Sequence, residues 1–107
     1  MRIGLVGGIT RNEAQLATLA RSAGHVLELH SGDVHGRGAN ELRALVERSE
    51  LVVILTDVNS HGGVLLAKKL AQRSGRGALV LRRLGSARFQ LLLQALEARN
   101  DRQLAAS

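Results

Sequence analysis

Two histidines stand where a chain of this pattern places its ligand contacts. His61 lies in the run Thr56-Asp57-Val58-Asn59-Ser60-His61-Gly62-Gly63, directly after the apolar stretch Leu51 to Leu55. His30 closes a second extended stretch, and Gly7-Gly8 follows a third. In a parallel α/β sheet, ligands bind beyond the carboxyl ends of the strands, where the next helices begin. Neutral imidazole suits zinc, copper, nickel and iron, so His30 and His61 are the candidate metal ligands, with Asp57 or His35 as a further donor. A haem version uses one histidine as axial ligand and arginines on the propionates. The chain has no Cys, which restricts a metal site to histidine and carboxylate, and no H-E-x-x-H pattern points to zinc-protease chemistry.

A metal or haem on His30 and His61 is the leading expectation; the alternative is that the same rim holds an anion. Helix starts at Thr10 and Ser60 offer free backbone N–H groups at the positive end of a helix dipole. Glycine lets the backbone approach a ligand closely, and an arginine forks onto phosphate or carboxylate. The candidate contacts are Gly7, Gly8, Arg11, Ser60 and Arg82, with Arg83 closing the far side. Gly7-Gly8 before Thr10-Arg11 is neither the dinucleotide fingerprint nor a Walker loop, so the ligand is a nucleotide or another phosphate-bearing anion without a diagnostic motif. A third use is catalysis with Asp57 and His61 as acid and base. No G-x-S-x-G elbow is present, and a small chain has little room for substrate cover, so the expectation leans away from an enzyme. Each feature also has a plain structural meaning: a glycine turn, a hydrogen-bonded structural histidine, a solvated basic face.

Four strand-helix repeats must position these residues. Ile3 to Val6 reads as the first strand. Thr10 and Glu13 form a capping box for a helix with Leu16, Leu19, Ala20 and Ala23 inward, ended by Gly24. His25 to His30 alternates apolar and polar residues, as an edge strand does. After the loop 31–38, Asn40 is expected to cap a second helix with Leu42, Leu45 and Val46 inward. Leu51 to Leu55 is apolar on both faces, hence central. Ser60 starts a helix running to about Ser74. Ala78 to Leu81 is the fourth strand, and Ser86 caps the last helix, with Phe89, Leu92, Leu93 and Leu96 inward. Right-handed crossovers and two central strands give the order 2-1-3-4. The expected fold is a (βα)4 three-layer sandwich, flavodoxin-like or Rossmann-like, over residues 1–99, with a polar tail over 100–107.

Composition narrows the partners. The chain of 107 residues is 45% hydrophobic, enough for one modest core. Phe89 is its single aromatic residue, which argues against base stacking. The net charge of +6 favours anionic partners, but the basic residues are spread along the chain. Lys68, Lys69, Arg73 and Arg76 form one basic strip without a recognition-helix motif, so nucleic acid is not the expected partner. No apolar run reaches the ~20 residues of a membrane span, and the first residues turn polar too soon for a signal peptide. A cytoplasmic location fits the lack of Cys. A second apolar strip, Leu91, Ala95 and Ala98, together with Leu65 beside Lys68 and Lys69, raises the prospect of a homodimer.

At Val6-Gly7-Gly8, Leu29-His30-Ser31-Gly32 and Asp57-Val58-Asn59-Ser60-His61, with Lys68-Lys69-Leu70 and Leu79-Val80-Leu81-Arg82, the chain resembles the bacterial family named domain of unknown function 2325. The resemblance spans roughly residues 1–97. It implies a small Rossmann-like bacterial protein and draws attention to Gly7, Gly8, Arg11, His30, Ser60 and His61. Family members commonly carry a Cys after the Asp, where this chain has Val58. The family brings no established activity.

Overall fold

The computed structural model describes residues 1–8, 12–57 and 59–106, with side-chain surroundings to residue 99. Strands and helices alternate as β1 (Arg2–Val6), α1 (Glu13–Ser22), β2 (Val26–His30), α2 (Gly38–Arg48), β3 (Leu51–Leu55), α3 (His61–Arg73), β4 (Gly77–Leu81) and α4 (Ser86–Ala106). The strands form one parallel sheet in the order β2-β1-β3-β4. The order follows from burial. Strands β1 and β3 carry the residues that need cover on both faces, and they take the two central places.

Successive side chains of each strand serve opposite layers. Ile3, Leu5, Val53 and Leu55 pack with Leu16 and Ala20 of α1 and with Phe89 and Leu93 of α4. Val6, Val52 and Ile54 pack with Leu42, Leu45 and Val46 of α2 and with Ala67, Leu70 and Ala71 of α3. Full burial of Phe89 contributes about 1.5–3 kcal/mol. Gly4 lets α2 come close to β1, because a Cβ there would run into Leu45 and Ser49. Buried Ser49 satisfies its hydroxyl on the Leu45 carbonyl at 2.6 Å.

Three local expectations are revised. Helix α1 begins at Glu13 behind Asn12 rather than behind Thr10, and Asn12 makes no side-chain capping bond; Thr10 and Arg11 lie outside the described residues. Helix α2 begins at Gly38, two residues ahead of Asn40. There the Gly38 N–H donates to the His35 carbonyl at 2.9 Å, and the missing Cβ lets the chain pass over the Asp33 carbonyl. Helix α4 runs to Ala106, through the segment expected as a tail.

The two edges of the sheet differ. On β2, Glu28 is tied to Arg2 at 3.2 Å and to Arg48 at 2.7 Å. On β4, Leu79 and Val80 stay 37% and 46% exposed, one on each face of the sheet. Among the described residues, no helix is long and apolar enough to cross a membrane.

Candidate functional site

The carboxyl ends of β1, β2 and β3 are joined by side chains. Asn59, just past β3, donates its amide to the Leu55 carbonyl at 2.8 Å and to the Val6 carbonyl at 3.3 Å. It thereby bridges the two central strands at the point where the chain reverses its direction across the sheet. The bridge requires glycine around it. A Cβ on Gly7, Gly32 or Gly63 would strike the Asn59 side chain. Gly7 and Gly32 also have φ values of +93° and +91°, which favour glycine independently of space. The Asn59 Oδ1 is buried without a hydrogen-bond partner among the described residues.

The next residue starts α3. Ser60 has extended backbone, φ −79° and ψ 149°, and its hydroxyl oxygen accepts from the Gly63 N–H at 2.8 Å. The same hydroxyl donates to the Gly32 carbonyl at 2.6 Å. One serine therefore caps the helix and pins the loop that follows β2.

His30 holds that loop from the other side. Its Nδ1 lies 2.9 Å from the Gly32 N–H and its Nε2 lies 2.9 Å from the Gly38 carbonyl. The Gly32 N–H can only donate and the Gly38 carbonyl can only accept, so in this arrangement Nδ1 accepts and Nε2 donates. Both nitrogens are engaged within the fold. A path of hydrogen bonds thus runs from His30 through Gly32 to Ser60, and His61 follows.

His61 has a different setting. It is the first residue of α3, exposed, and among the described residues its ring has no hydrogen-bond partner. Asp57 lies on the far side of the rim, with its carboxylate shared by Arg83 at 3.1 Å and Arg82 at 3.4 Å. His35 is exposed and pairs with Asp33 at 2.8 Å in the loop. The backbone N–H of His35, then its ring, holds the Asp33 carboxyl below its usual value. Among the described residues, no group of three or more His, Cys, Asp or Glu side chains is placed to hold a metal ion.

Of the residues selected from sequence, the structure brings Gly7, His30 and Ser60 into one connected network, leaves His61 open at its edge, and sets Arg82 against Asp57. Gly8 follows Gly7 with φ +63°. The part played by Asn59 was missed. Sequence places Asn59 in the rim crevice with Asp57 and Ser60, but its bridging bonds and the convergence of three glycines on it are visible only in three dimensions. A cleft of about 380 Å³ runs between His30, Asp33, His35 and Glu41. A larger one, about 860 Å³, opens at the opposite rim between α1 and α4, floored by Leu19, Leu93 and Leu96. Its His25 faces the Met1 amine at 2.8 Å. Burial, then that amine, lowers the pKa of His25, against the pull of Glu50 and Glu97.

Fold and rim together define a three-layer, Rossmann-like α/β domain with a glycine-lined switch point. The chain belongs to the family described as "Uncharacterized protein conserved in bacteria (DUF2325)", whose family model matches residues 2–96. No curated protein and no solved structure matches it.

Proposed function

We propose that this chain is a small ligand-holding protein without catalysis of its own, and that a phosphate-bearing anion sits on the first turn of α3. The start of that helix carries the proposal. Ser60 caps Gly63, which leaves the backbone N–H groups of His61 and Gly62 directed out of the helix end. No acidic residue occupies the first turn, so nothing there competes with an incoming anion for the positive end of the dipole. His61 adds a side-chain donor at the same point. Arg82 is 82% exposed and stands at the end of the neighbouring strand. The Asp57 carboxylate is already shared by Arg82 and Arg83.

Isothermal titration calorimetry with a nucleoside diphosphate and with inorganic pyrophosphate tests this. Binding should weaken as salt is added and fall at least several-fold in His61→Ala. No binding of either probe at low salt, or binding indifferent to His61→Ala, contradicts the proposal.

One observation favours a second ligand class: the imidazole of His61 is exposed and unpartnered among the described residues. A haem or a divalent metal would find its histidine ligand there, and Arg82 and Arg83, just past the end of the neighbouring strand, are the candidates for propionates. His30 would join only by giving up Gly32 or Gly38. Titration with haemin separates the cases. A Soret band lost in His61→Ala but kept in His30→Ala supports a single-histidine haem site; a spectrum equal to free haemin removes haem.

A further inference from the structure

We infer that the side of the molecule built from α3, the two ends of β4 and the start of α4 is a docking surface for the phosphate backbone of double-stranded nucleic acid, bound without regard to base sequence. The basic residues are spread along the chain, but the acidic ones are not. Between residues 58 and 96 there are seven Lys or Arg and no Asp or Glu. The remainder of the chain holds eight basic and nine acidic residues. The whole positive excess therefore belongs to one segment.

The fold keeps that segment together at one edge. Strand β4 is the outermost strand beside β3, and α3 lies over both. Ala67, Leu70 and Ala71 face α3 inward, which leaves Lys68, Lys69 and Arg73 exposed on its outer side. Lys69 and Arg73, four residues apart, are neighbours there. Arg76 immediately precedes β4, and Arg82 and Arg83 follow it. Arg88 is exposed in the first turn of α4. At ~3.3 Å per residue, Arg76 and Arg82 stand about 20 Å apart, and α3 runs back alongside from one end to the other. Over that length a duplex presents about a dozen phosphate charges.

Counter-charge is scarce on this side. Among the described residues, Lys68, Lys69, Arg73 and Arg88 make no ion pair. Arg76 rests on the backbone carbonyl of Glu47, and Arg82 and Arg83 divide Asp57 between them. At the β2 edge, by contrast, Arg2 and Arg48 share Glu28. Like charges set together destabilise a fold by self-repulsion. A polyanion relieves that repulsion and releases its own counterions in doing so.

The chemistry of the surface selects among polyanions. A single strand is gripped by stacking its bases on aromatic rings, and the one aromatic residue, Phe89, is fully buried. A lipid surface takes in the apolar side of an amphipathic helix, and that side of α3 is spent on the sheet. Contacts to phosphate alone position a protein on a duplex without base readout, so no recognition helix is required. The inference is independent of the anion seat at the start of α3.

Fluorescence anisotropy with short labelled duplexes, at rising salt, tests this. The wild type should bind two unrelated sequences equally, with log K falling against log salt at a slope of about −4 to −5, as for about five neutralised phosphates. The triple variant Lys68→Gln, Lys69→Gln, Arg73→Gln should flatten that slope by about 3 and weaken binding roughly tenfold or more at low salt. The charge-matched variant Arg21→Gln, Arg37→Gln, Arg43→Gln removes exposed cations on and beside α1 and α2 and should bind like the wild type. His61→Ala should do the same, which separates this surface from the anion seat. No binding of duplex at low salt, equal losses in the two triple variants, or loss in His61→Ala alone overturns the inference. So does tighter binding to a single strand or to anionic phospholipid vesicles than to duplex.

Discussion

His30 and Asn59 are the two side chains whose loss should be felt most at the rim. With His30→Ala, the Gly32 N–H loses its partner at 2.9 Å, and the Gly38 carbonyl at the start of α2 loses its second contact, also at 2.9 Å. An orphaned, partly buried backbone group costs about 1–3 kcal/mol, so the thermal midpoint should fall and amide exchange across 31–38 should quicken. Asn59→Asp is the sharper change, because a carboxylate cannot donate to the Val6 and Leu55 carbonyls and presents charge to both. It should destabilise more than Asn59→Ala, as measured by urea unfolding; equal losses would mean that the amide donors contribute little. At this scale the sequence located the residues but not their uses. His30 was legible as a rim residue because β2 is. That both its nitrogens are consumed by the loop depends on the path of 31–38, which no local pattern encodes.

Helix starts show the same division. The beginning of α3 was legible because an extended serine before a helical run is a strong cap, and Ser60 does cap Gly63. The beginning of α2 was not. Gly38 is a poor helix former, and tight passage over Asp33 overrides that preference. The α3 start yields a contrast between adjacent glycines. Gly63→Ala pushes a Cβ against the Gly32 backbone and Asn59, whereas Gly62→Ala meets the Val34 methyl at 3.2 Å. Thermal melts should show Gly63→Ala clearly destabilised and Gly62→Ala close to wild type. Between β2 and α2, Glu28 carries a pH dependence. The hydrogen bond from Arg48 holds its carboxyl below the ordinary 4.5, against a smaller opposing effect of burial. A carboxyl whose pKa is lower when folded contributes stability that is present above its unfolded value and is lost as pH falls through the folded one. Stability should therefore decline below about pH 4.5, with a shallower slope in Glu28→Gln.

The whole molecule was the most legible scale. The double-sided apolar run Leu51 to Leu55 demands a central place, and alternation in Val26–His30 marks an edge, which together with crossover handedness leaves the order β2-β1-β3-β4. The bareness of β4 was not legible, because Gly77–Leu81 reads equally well as a covered strand; its exposure depends on where α3 and α4 come to lie. The glycines, Asn59 and His30 tie the rim together, and among the described residues His61 and Gly62 at the first turn of α3 are exposed at its edge. The most direct test is a proton–nitrogen correlation spectrum recorded as inorganic pyrophosphate is added at low salt. The amide signals of His61 and Gly62 should shift first and furthest, and return as salt is raised. If those two amides stay in place while others move, or if none moves, the ligand seat is not at the start of α3.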